Sequence, residues 1–148
     1  MRRRKVAVAA LALSLLAGGC VEHPEEVDPG VLEDVGKIGT IAWKQRYEGL
    51  MGNETVVTDV FLVDVGGKTG EASFKKAVAS LHRLGWVTSL DDSPNHIWLV
   101  SPKWKGANLA VYTLLDAQED DKPEVKKILE KRGVERSALV EVSAYAGY

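Results

Sequence analysis

Residues 55–65 read Thr-Val-Val-Thr-Asp-Val-Phe-Leu-Val-Asp-Val. β-Branched side chains crowd the turn of a helix and pack well on a pleated strand, so this run predicts a strand and fixes where the next element can begin. Gly66-Gly67-Lys68-Thr69-Gly70 breaks it. Phe74, Ala77, Val78, Leu81 and Leu84 then recur at three- and four-residue spacing with Lys75, Lys76 and Arg83 between them, the stripe of an amphipathic helix. Thr69 or Gly70 caps its start and Gly85 ends it. Trp86-Val87-Thr88 predicts a short extension, and Asp91-Asp92-Ser93-Pro94-Asn95 a turn. Residues 96–101 and 108–115 read as a hairpin joined by residues 102–106. Asp120 or Asp121 ahead of Pro123 and Glu124 marks a second helix start. Val125, Ile128 and Leu129 supply its apolar face and Gly133 its stop, and residues 138–144 close the chain as a strand.

The order of elements is β-α-β-β-α-β. It resembles the ferredoxin-like, split βαβ arrangement, which implies an α+β fold with four antiparallel strands and both helices on one face. The other sheet face then needs a partner, a loop or polar residues. Trp98, Tyr112 and Tyr145 are expected to share that face, where exposed aromatics mark an interaction site. Residues 37–53 are the competing cover: Ile38, Ile41, Trp43, Tyr47, Leu50 and Met51 are too apolar for a linker. They match neither a strict period of two nor a helical stripe, so a short helix or a packed arm is expected there.

The chain begins Met1-Arg2-Arg3-Arg4-Lys5, continues as an apolar run from Val6 to Ala17 broken only by Ser14, and reaches Gly18-Gly19-Cys20. A basic head, a short apolar middle and small residues before a cut are the three parts of a secretory signal peptide. The run is too short to cross a bilayer, which takes about 20 residues. Leu16-Ala17-Gly18-Gly19-Cys20 resembles the lipobox of bacterial lipoproteins, with Ala17 where that family prefers Leu. The resemblance implies a diacylglycerol on the Cys20 thiol, cleavage just before it, and a mature chain held on the outer face of the cell membrane. Cys20 is also the only cysteine, so no disulfide forms within the chain. Arg3-Arg4-Lys5-Val6 loosely fits a twin-arginine signal as well, which leaves the export route open.

Residues 1–19 are therefore expected to leave, residues 20–36 to form a lipidated, acidic, Pro-bearing tether, and residues 54–148 to form the domain. Loss of the signal takes away four cations and leaves 15 basic against 21 acidic residues, a net charge of −6. That balance argues against nucleic acid and against an anionic membrane surface as electrostatic partners. The aromatic signature of RNA-recognition domains is also missing from residues 108–115.

No catalytic constellation emerges, and no cofactor motif. Lys68-Thr69-Gly70 and Ser73-Phe74-Lys75-Lys76 match the K-T-G and S-x-x-K motifs of penicillin-binding and β-lactamase families. Here, however, K-T-G precedes the serine by three residues, whereas those families place it on a strand far downstream. Gly66-Gly67-Lys68-Thr69 lacks the first glycine of a phosphate loop, whose place falls on Leu62. His23, His82, His96, Asp91 and Asp92 lack metal-ligand spacing. The expectation is a non-enzymatic module that binds an envelope protein, the cell wall or a second copy of itself. A small-ligand sensor is the alternative, followed by an enzyme using Asp91, Asp92, His82 or His96.

Overall fold

A computed structural model of the chain describes residues 25–114 and 122–147. The signal segment and Cys20 lie outside the described residues. No helix among those described is long and apolar enough to cross a membrane.

The fold is α+β, with one antiparallel sheet and three helices among the described residues. In chain order the elements are α1 (Pro29–Lys37), β1 (Thr40–Met51), β2 (Glu54–Asp64), α2 (Gly70–Arg83), β3 (Val87–Asp92), β4 (His96–Val100), β5 (Ala107–Thr113), α3 (Pro123–Arg132) and β6 (Leu139–Ala146), with a 3-10 turn at Arg136–Ala138. The six strands lie in the order β1-β2-β6-β5-β4-β3.

That order departs from the ferredoxin-like expectation. There the first strand of the unit lies between the third and the last; here β6 lies between β2 and β5, and two extra strands border the unit. The placement of the helices departs as well, and its reason is visible in β2. Val60, Phe61, Leu62 and Val63 are consecutive and all buried, so both faces of the strand need cover. Phe61 and Val63 pack with α1 and α2 through Val31, Val35, Phe74, Ala77 and Leu81. Val60 and Leu62 pack on the opposite side with Val125 and Leu129 of α3. The helices therefore sit on both faces of the sheet and not on one.

Three segments differ from their sequence reading. Residues 87–92, expected as a short extension running into a turn, form strand β3. Part of the expected tether is a helix: Pro29 occupies the first turn of α1, Asp28 caps it by accepting from the Gly30 N–H at 2.8 Å, and Val31 and Val35 are fully buried. The expected arm over the open face is instead strand β1, which extends the sheet at its edge. A bulge between Ile41 and Trp43 explains its unreadable pattern. Ile41 pairs with Val63 and Trp43 with Leu62, so two residues that simple alternation would place together face opposite layers.

Gly39, entering β1, lies so close to β2 that a Cβ would stand 2.2 Å from the Asp64 carbonyl oxygen. Asp64 is backbone in a paired strand, so it does not yield cheaply. Gly39→Ala is expected to cost about 2 kcal/mol, read as a lower denaturation midpoint with an unchanged slope.

Candidate functional site

The second helix layer covers only part of its face. α3 packs over Ala42 and Trp43 of β1, Val60 and Leu62 of β2, and Leu139 at the start of β6. Among the described residues nothing comparable lies over the same face of β3, β4 and β5. Period-two alternation brings His96, Trp98 and Val100 of β4 to that face, because Ile97 and Leu99 between them are buried in the core under α1 and α2. Opposite them on β5 stand Tyr112, Ala110 and Asn108 in register, and β6 follows with Glu141, Ser143 and Tyr145.

Strand β3 completes the surface through a bulge between Thr88 and Leu90. Val87 pairs with Val100 and Leu90 with Trp98, so both apolar side chains reach the same face despite their odd separation. Val87, Leu90, Trp98 and Val100 are 51%, 49%, 40% and 38% exposed, a contiguous apolar patch across two strands. Ala110, in register with Trp98, is small and 2% exposed, so neighbouring side chains lie over it. His96 stacks on Tyr112 with ring centroids 5.4 Å apart and meets Trp98 at 6.3 Å. Tyr145 is half-buried; burial pushes its phenol up, with Tyr112 adding to the effect. The three sequence-predicted aromatics therefore share one face, with Trp98 the most exposed.

Of the four candidate acid–base residues, His96 and Asp92 come together and His82 and Asp91 do not join them. His96 Nδ1 lies 3.4 Å from an Asp92 carboxylate oxygen, a cross-strand pair at the end of the hairpin. Asp91 turns to the hairpin loop, where the Ser93 side chain and N–H hold its carboxyl below the usual range. His82, at the end of α2, meets the Thr88 hydroxyl at 3.0 Å. Among the described residues no group of three metal-ligating side chains occurs.

Thr69 caps α2 by accepting from the Ala72 N–H, and the fully buried Ser73 hydroxyl donates to the Ser137 carbonyl. The serine of the apparent S-x-x-K motif is thus a packing residue. Gly67 passes so near that a Cβ there would lie 2.1 Å from the Ser73 oxygen.

A cleft of about 590 Å³ opens between α1, β1 and β2, lined by Leu32, Ile41, Lys44, Arg46, Asp59 and Phe61 among others. It lies on the face carrying α1 and α2, away from the aromatic patch. Asp59 already takes two bonds from the Arg46 guanidinium, at 2.9 and 3.1 Å, and Arg46 also reaches Glu26.

Sequence reading missed one polar centre. The buried Asp34 carboxylate accepts the indole N–H of both Trp86 and Trp104, at 3.2 and 3.3 Å, and pairs with Lys37 at 2.9 Å. The available signal was slight: an acid three residues after Val31 and one before Val35.

Comparison with protein-family models, curated proteins and solved structures returned no match.

Proposed function

We propose that the chain is an exported lipoprotein, anchored through Cys20, whose uncovered sheet face receives an extended polypeptide segment of an envelope protein. The supporting observation is the exposed patch of Val87, Leu90, Trp98 and Val100 beside the outer edge of β3, which pairs with no further strand among the described residues. An edge strand offers unpaired backbone N–H and C=O groups, and an adjoining apolar surface offers burial for alternate side chains. Together these suit a strand that adds to the sheet and folds its side chains over Trp98. The aromatic anchor would carry most of the affinity. No catalytic role is assigned. A ligand-sensing role has less support, because the described cleft lies on the other face and its acid is already paired.

Photo-crosslinking side chains at Leu90 and Trp98 in the anchored protein test this reading. The expected result is one adduct of the same mass from both positions, absent from the exposed Lys75 on α2. Adducts at the mass of two chains would point to self-association and overturn the heterologous reading. Equal, diffuse labelling at all three positions would remove the binding face altogether.

A further inference from the structure

The described chain begins with its direction fixed. Glu25 forms a parallel bridge with Val56 of β2. Strand β2 runs away from the β1–β2 hairpin turn, so the chain at Glu25 also runs away from it. Glu26 is pinned there by Arg46, at 3.1 Å. From Val56 to the turn is about 10 Å at the rise of a strand. From Cys20 to Glu25 is at most about 17 Å of fully extended chain. An anchor on Cys20 therefore keeps the hairpin turn close to the bilayer.

The residues at that turn fit the position. Gly49-Leu50-Met51-Gly52-Asn53 carries no charge, and Leu50 is 79% exposed, the most exposed large apolar side chain described. The register places a second group at the same end of the sheet. Thr58 pairs with Tyr145 and Tyr145 with Asn108, so the loop entering β5 lies at the turn end. That loop carries Lys103 and Lys105, both exposed, with the Lys103 ammonium 4.1 Å from the Trp104 ring centre. The mature chain is acidic as a whole, and Glu48 and Glu54 flank the turn. Attraction of the whole molecule to an anionic surface therefore does not produce the contact. The tether does, and the two lysines act locally, within a Debye length of the headgroups.

We infer that the β1–β2 turn rests on the membrane that carries the anchor, with Leu50 entering the interface and Lys103 and Lys105 at headgroup level. This rests on the anchored reading above. It would hold the Asp92–His96 end of the sheet outward and stand β3, with its patch, across the sheet from β1.

The single native cysteine makes the test clean, because acylation of Cys20 leaves an introduced thiol as the only one free. The acylated protein is placed in phosphatidylethanolamine–phosphatidylglycerol vesicles, with an environment-sensitive dye on Asn53→Cys or, at the far end of the sheet, on Asn95→Cys. The expected result is a blue-shifted emission and severalfold weaker acrylamide quenching at position 53 than at 95. Adding Leu50→Glu, at a site exposed enough to leave folding intact, should bring position 53 to the level of 95. Equal quenching at the two positions, or shielding that Leu50→Glu leaves unchanged, overturns the inference. The mass of the same sample separates the two levels. An acylated Cys20 with an exposed turn refutes only the membrane contact, whereas an unacylated chain refutes the anchor and the contact together.

Discussion

Replacing Asp34 with Ala is expected to destabilise the domain by about 3 kcal/mol, the scale of breaking a buried, charge-assisted hydrogen-bond centre. At roughly 4 °C per kcal/mol the melting temperature falls by about 12 °C. Asp34 is 4% exposed and lies between the indoles of Trp86, which follows α2, and Trp104, in the loop before β5. Its loss orphans the buried Trp86 N–H and removes the only described side-chain bond made by each indole. It also loosens α1 from the sheet, whose Gly30 is packed so closely that a Cβ would stand 2.4 Å from the Trp104 ring. Asp34→Asn keeps the shape and part of the bonding, and is expected to cost about half as much.

The same residue sets a pH dependence. Burial alone would push the Asp34 carboxyl up; the bonds from Lys37, Trp104 and Trp86 outweigh it and hold the group below the usual carboxylate range. A carboxyl whose folded value is depressed stabilises the fold fully above its unfolded value of about 3.9, and loses that contribution as pH falls through the folded value. The stability gap between the native protein and Asp34→Asn should therefore be constant above about pH 5 and narrow in acid. A gap that widens on acidification would show the sign to be wrong.

Most strands and helices of residues 54–148 were legible because their signals are local; β3 was not, because its bulge breaks the alternation and it ends in turn-forming Asp91 and Asp92. The β-branched run of β2, the stripe and threonine cap of α2, Pro123 at the start of α3, and Gly133 in the left-handed conformation at its end each act within a few residues. The strand order was not legible. It depends on which faces are buried, and the buried run Val60–Val63 signals two covered faces without saying which helix goes where. Bulges account for the rest. Val87 and Leu90 are three apart and alternation would put them on opposite faces; the bulge between Thr88 and Leu90 brings them together and creates the patch beside Trp98. The bulge at Ile41 and Trp43 made β1 look aperiodic in the same way. Trp98, Tyr112 and Tyr145 were placed on one face because β4, β5 and β6 alternate without interruption. α1 was hidden by composition: a net acidic, Pro-bearing stretch reads as a tether, although Val31 and Val35, one helical turn apart, form a minimal buried stripe.

The largest effect of all is expected from Cys20→Ala. The proposed partner face and the proposed membrane contact both presuppose a chain held at a bilayer, and the anchor proposed on Cys20 is what would hold it there. At about 0.8 kcal/mol per buried CH₂, one acyl chain binds marginally and reversibly while two hold firmly. The apolar run from Val6 to Ala17 is too short to span, and a chain cut before Cys20 would carry a net charge of −6. The native protein should therefore partition into the detergent phase on phase separation, and Cys20→Ala should lose that partition. The intact mass of the protein recovered from membranes is the most direct measurement. The predicted result is a chain that begins at Cys20 and is heavier than its 129 residues by the mass of a diacylglycerol-type modification. A chain of unmodified mass with a free Cys20 thiol, or a detergent-phase partition that Cys20→Ala leaves unchanged, would contradict the account.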